Sequence, residues 1–324
     1  MNDPRLLDGV LVQWGERLFY PGNRRVPAAP GGAGIGLRAR AATVRQRIER
    51  TVARAPQVMV KVTGGGRGMV AIAAHLRYIS KNGRIPMEDD RGNQREGREA
   101  LLDVADQWRL GGSRIPEKSE RREAFNIMLS MPCGTNPLIV QRAAREFAQT
   151  ELADHRYVMV LHDHQANPHV HLSVRAEGRD GQRLNPRKED LRRWRETFAE
   201  RLRGWGIEAE ATSQVTRGTR YRNERVWERK TGLSREKRQE RAEALPSGMR
   251  RQALQGWAEI MSALAASPEE SDRQLAQSIG QYLGRLPAVQ AMVRYQAQQR
   301  ELPGIDRSPL TMPSQERRRP EMER

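Results

Sequence analysis

Apolar and polar positions recur along this chain with two different periods, and the changes of period divide it into elements. Val58, Val60 and Val62 alternate with Met59 and Lys61, which predicts a strand from Gln57 to Thr63. The turn Gly64-Gly65-Gly66-Arg67-Gly68 leads into a helix from about Met69 to Lys81, closed by Asn82-Gly83. Met69, Ile72, Leu76 and Ile79 form its apolar stripe. Alternation returns from Ala124 to Met131, where Phe125, Ile127 and Leu129 face one way and Asn126, Met128 and Ser130 the other. Pro137 to Leu152 is an amphipathic helix; Tyr157 to Leu161 and Val170 to Val174 are strands joined by a short loop. Asn185-Pro186 introduces a charged helix over about Arg187 to Arg203, and Ile207 to Thr212 is expected to form a last short strand. This order predicts an α+β fold, an antiparallel sheet with helices mainly on one face and the other face open.

The flanks read differently. Residues 1–56 carry ten Arg and four acidic residues, interrupted by Pro21-Gly22-Asn23 and a Pro/Gly/Ala run from Pro27 to Gly34. They are expected to be a basic, flexible extension with one helix from about Leu37 to Ala55. Within the central region 57–213, residues 84–120 are polar and read as an insertion with at most one helix, around Glu96 to Trp108. Residues 214–324 are basic and mostly helical, with helices expected around Met249 to Ala266 and Ser271 to Gln299 before a polar tail. From Arg217 to Arg241 ten basic and four acidic residues interleave with Tyr221 and Trp227, a composition suited to tracking a nucleic-acid backbone or to a solvated linker.

The chemistry concentrates between the paired strands. Four of the six histidines fall within His162-Asp163-His164-Gln165-Ala166-Asn167-Pro168-His169-Val170-His171. Side chains alternate across a strand, so His169 and His171 share a face with Ser173 and Arg175. His162, just before the turn, folds back over that face and completes a set of three nitrogen ligands for one metal ion. His164 reads as an exposed loop residue. Tyr78 lies off its helix stripe, about 120° round the wheel from Ile72, and is expected to present its hydroxyl at an edge.

Charge then narrows the substrate. Lys and Arg number 57 against 40 Asp and Glu, a formal charge of +17, which is a footprint for polyanions, nucleic acid first among them. Only Cys133 is present, which excludes disulfides and thiolate zinc sites and suits a reducing cytoplasm. No apolar run reaches membrane-spanning length and no secretion signal is evident at the N-terminus. A phosphate-gripping Gly-x4-Gly-Lys-Ser/Thr is absent, so ATP hydrolysis has no support.

Leu76-Arg77-Tyr78-Ile79-Ser80, Leu129-Ser130 ending a strand before a Pro-bearing turn, and His162-x6-His169-x-His171 together resemble the three motifs of conjugative relaxases. These are the plasmid mobilization nucleases, MobA-VirD-like and P class, of the HUH endonuclease superfamily. The resemblance spans about residues 57–213, and the histidine motif is its specific part. It implies an antiparallel-sheet palm that nicks one strand at an origin of transfer, on single-stranded or supercoiled DNA. It further implies Tyr78 as nucleophile, His162, His169 and His171 as ligands of a divalent ion (Mg2+ or Mn2+), and Ser130 as a DNA contact. Arg77, Lys81 and Arg175 are the further candidate DNA contacts. The implied partners are relaxosome accessory proteins, a separate helicase and a type IV coupling protein. The implied setting is a bacterial cytoplasm, with passage of the protein into a recipient cell alongside the DNA.

Two features differ from many relatives. An acidic residue commonly follows the first histidine by two places, where this chain has His164, with Asp163 one place earlier. His164 as base and Asp163 as the group orienting a ligand is the corresponding expectation. The tyrosine also lies far inside the chain. An HUH replication initiator would share the chemistry, but initiators usually place the histidine motif before the tyrosine. A non-catalytic DNA-binding accessory protein would need only the charge. A three-histidine zinc hydrolase would leave the charge unexplained, and no His-Glu-x-x-His helix is present.

Overall fold

The computed structural model describes residues 4–20, 36–218, 248–287 and 289–294. The chain divides into two compact units. The first, Met1–Tyr221 with Ser247–Tyr282, contains the whole sheet; most of the second, Arg222–Pro246 with Leu283–Arg324, lies outside the described residues.

Six antiparallel strands form one sheet: β1 (Met59–Gly64), β2 (Met87–Asp89), β3 (Gln94–Arg95), β4 (Ala124–Ser130), β5 (Tyr157–His162) and β6 (His169–Arg175), in the order β1-β4-β6-β5-β2-β3. The alternation read from the sequence sets the register. Phe125, Ile127 and Leu129 of β4, Val170, Leu172 and Val174 of β6, and Tyr157 and Met159 of β5 all enter one core. That core is closed by α5 (Pro137–Glu151), through Val140, Ala144 and Phe147, and by α6 (Lys188–Gly204), through Trp194, Phe198 and Leu202. The start of α5 is fixed locally: Asn136 accepts a hydrogen bond from Leu138 N at 2.9 Å and Pro137 occupies the first helical position.

The α+β class, the antiparallel sheet and the helical extension are as expected, but the second sheet face is only partly open. Met69, Ile72, Leu76 and Ile79 of α3 (Met69–Ile79) and Leu101, Val104 and Trp108 of α4 (Arg98–Leu110) form a second core with Ala124, Val158 and Val160. The insertion is therefore structural. Its β2 pairs with β5 and its helix covers the sheet, a role that its short, charged strands conceal.

The glycine turn before α3 is likewise fixed by packing. A Cβ on Gly68, at φ +95°, would meet Glu117 O at 2.4 Å, while Gly66 N donates to Ala124 O. It holds the chain against the neighbouring segment. The last expected strand forms only a bridge, Gln57 to Glu210.

The N-terminal extension is also corrected. A helix runs from Pro4 to Phe19 (α1), ahead of the expected basic helix, here α2 (Leu37–Val52). α1 packs on α2 and on α7 (Gly248–Ala265), burying Leu11, Leu18 and Trp257. Gly15 permits the approach, since a Cβ there would lie 2.7 Å from Val44 Cγ1. Arg45 joins Asp8 and Asp272, the latter on α8 (Glu270–Gly284), and Arg50 pairs with buried Glu210 at 2.9 Å. The basic character of α2 is thus partly spent on internal ion pairs. The turn-rich run at 21–35, nearly all of the basic segment 217–241, and the tail from 295 lie outside the described residues.

Candidate active site

The cross-strand register brings the motifs together. Met59 of β1 faces Ser130 of β4, Ser130 faces His169 of β6, and His169 faces His162 of β5. His171 stands in the next row, between Met128 and Val160. The three imidazole rings form a near-equilateral triangle, with centroids 5.1 Å (His162 to His169), 4.7 Å (His162 to His171) and 5.0 Å (His169 to His171) apart. One ring nitrogen from each lies within 4.8 Å of the others.

The opposite nitrogens decide which atoms are free to ligate. His162 Nε2 lies 2.7 Å from Ile79 O and His169 Nδ1 lies 3.0 Å from Asn167 O. A carbonyl only accepts, so each of these nitrogens carries the proton, leaving His162 Nδ1 and His169 Nε2 as lone-pair donors. Burial pushes the pKa of His171 down to about 3, with the neighbouring His162, His169 and His75 adding to the shift. His162 is lowered as well, first by burial, against the bond to Ile79 O. Two imidazoles turned by backbone carbonyls and a third kept neutral by burial make a donor set that fits a divalent ion.

Carbonyls hold two of the imidazoles where Asp163 was expected to act. Asp163 is exposed and makes no hydrogen bond or ion pair among the described residues. His164 is exposed on the same loop, its ring 5.2 Å from that of His162.

Helix α3 delivers the tyrosine. Its last residue, Ile79, is buried and gives the carbonyl that anchors His162, which ties the end of the helix to the histidine cluster. Tyr78, one residue earlier, points outward and is 71 % exposed, as its position off the stripe predicted. Arg77 and Lys81 flank it and are exposed. Lys81, Asn82 and Gly83 all have positive φ (48°, 61° and 82°), so the helix ends in a left-handed turn. Ser80 secures that turn, its hydroxyl donating to Leu76 O and accepting from Gly83 N.

Two expected DNA contacts are occupied otherwise. Ser130 is on the histidine face beside His169 but only 3 % exposed, and its hydroxyl donates to Pro168 O at 3.3 Å. It secures the histidine loop. Arg175 is 4 % exposed and donates to the carbonyls of Trp108, Gly111 and Ser113 at the C-terminal end of α4. Cations are favoured at a helix C-terminus, and Arg175 closes that end from beneath, out of reach of a phosphate.

One residue of the cluster is absent from the sequence reading. His75 lies on α3, its ring 6.4 Å from that of Tyr78 and 6.4 Å from that of His171. Burial lowers its pKa. The signal was available: residues three apart on a helix are neighbours, so His75 had to lie beside Tyr78.

Among the described residues no helix is long and apolar enough to cross a membrane. No curated protein matches the chain. Residues 79–207 match the family model described as relaxase, MobA/VirD2-like, nuclease domain. The match contains the three histidines and both strands that carry them, and begins one residue after Tyr78. Residues 79–207 are therefore similar to the nuclease domain of MobA/VirD2-like relaxases.

Proposed function

We propose that this protein nicks one DNA strand at an origin of transfer by tyrosine transesterification, leaving the strand joined to Tyr78 through a 5′ phosphate. The observation that carries the reading is the bond from His162 to the Ile79 carbonyl, which joins the three-histidine cluster to the end of the helix bearing an exposed tyrosine. Attack by the Tyr78 oxygen forms its bond to phosphorus and breaks the bond from phosphorus to the 3′ oxygen. The phenolic proton passes to a base, for which His164 is the proposed group, and the leaving 3′ oxygen gains a proton. Bond energy is conserved in the phosphotyrosine, so rejoining needs no nucleotide.

His162, His169 and His171 would hold a divalent ion, Mg2+ or Mn2+. Such an ion supplies Lewis-acid polarisation of the scissile phosphate and offsets charge developing there. The exposed Arg77 and Lys81 are the proposed phosphate contacts beside the nucleophile. Accessory relaxosome proteins, a separate helicase and a type IV coupling protein are the proposed partners, in a bacterial cytoplasm and then in a recipient cell.

The test is cleavage of DNA from the element that carries the gene, single-stranded or supercoiled, with Mg2+ or Mn2+. A nick with a free 3′ hydroxyl and a protein-blocked 5′ end, lost with EDTA and in Tyr78→Phe, is expected. A nick with a free 5′ phosphate, or one retained in Tyr78→Phe, would overturn it.

A further inference from the structure

The anchoring of the three histidines is uneven. His162 and His169 each give one nitrogen to a backbone carbonyl, whereas His171 Nδ1 is buried with no hydrogen-bond partner among the described residues. Its position relative to the sheet explains why. β6 packs against α3, and His171 Nδ1 finds no hydrogen-bonding group there among the described residues. The ring it does meet is His75, edge-on at 6.4 Å between centroids.

Two more buried polar atoms, one on α3 and one on β6, have no partner among the described residues. His75 Nε2 is buried and unbonded, and so is the hydroxyl of Ser173, fully buried two residues beyond His171 on the same face of β6. Buried polar groups are nearly always satisfied, because one left unpaired keeps the full cost of its lost hydration. An ordered water needs two to four polar partners, and a spacing too long for a direct bond is what a bridging water spans.

We propose that His75 is a positioning residue for the metal centre: through one bridging water, shared with the Ser173 hydroxyl, it fixes the proton of His171 on Nδ1 and so turns the Nε2 lone pair toward the ion. The inference rests on the proposed metal site. His75 thereby performs for the third ligand what Ile79 O and Asn167 O perform for the other two. Because the same ring lies 6.4 Å from that of Tyr78, α3 sets the nucleophile and the third ligand from a single helical turn.

The experiment uses the full chain and measures Mn2+ binding by calorimetry in His75→Phe and His75→Gln, with thermal melting in EDTA alongside. His75→Phe keeps the ring shape and removes both nitrogens. It should weaken Mn2+ binding about 10- to 100-fold without moving the metal-free melting temperature, and His75→Gln, which keeps a polar tip for the water, should recover most of the loss. Wild-type affinity in His75→Phe would overturn the inference while leaving the metal site standing; no Mn2+ binding by the wild-type chain would overturn both. Should His75→Phe not fold, the tautomer of His171 in the unaltered, metal-free protein decides, read from a long-range 1H–15N correlation spectrum. Nδ1–H is expected and Nε2–H would contradict the proposal.

Discussion

The two ends of β6 carry polar residues on one face of one strand, yet they do opposite work. At the start His169 and His171 converge with His162 beside the end of α3. At the end Arg175 points the same way but meets the C-terminal end of α4, where three carbonyls surround it. Strand alternation fixes which face a side chain takes; what lies over that face decides whether it is a ligand, a DNA contact or a buried clamp. The helices of the second core close the face over Val158 and Ala124, while the three histidines gather at the end of α3.

The comparison is broken or sharpened most strongly at Tyr78. Replacing it with Phe should reduce cleavage by at least about 10³-fold, as expected for loss of a nucleophile, with unchanged melting because the side chain is mostly exposed. A quantitative nicking assay and a thermal melt on one preparation check both halves. Arg175→Met should invert the pattern. Three carbonyls lose a charged donor, and urea unfolding should report a loss of roughly 3 kcal/mol, while DNA affinity of the folded fraction stays the same. A weakened affinity with intact stability would return Arg175 to the DNA surface.

Acidity separates the two ends as well. His171 stays neutral in the fold down to about pH 3, whereas an unfolded histidine takes a proton near its ordinary value of about 6.5. Below that value the unfolded chain binds more protons, so the stability of the metal-free protein should be full above about pH 6.5 and fall as the pH drops toward 3. Denaturant midpoints across that range should show the decline, and it should be shallower in His171→Gln. A flat profile in the wild type would mean that the histidine end is more solvated than its burial indicates. The smallest expected effects are those of Arg77→Ala and Lys81→Ala. Each should lower the dependence of DNA affinity on salt by about 0.7 in log–log slope, the share of one phosphate contact on a single strand.

How much of this could be read beforehand follows the same division. Local periodicity gave the sheet face of His169 and His171, the stripe of α3 and the outward Tyr78, because these depend on neighbours in sequence. The clamp on Arg175, the burial of Ser130 and the covering role of α4 depend on segments 30 or more residues away, and nothing local marks them. α1 is a different omission. Leu11, Leu18 and Phe19 are core residues, but the Pro/Gly/Arg composition of the extension masked their helical spacing. His75 shows a legible signal passed over, since only its spacing from Tyr78 was needed.

The most direct test of the central claim is mass spectrometry of the peptide left attached to DNA after reaction with Mn2+ and origin-containing single strands. The account predicts a nucleotide 5′ phosphate on Tyr78 and on no other residue. An adduct on a different side chain, or a cut strand with an unmodified protein and a free 5′ phosphate, would contradict it.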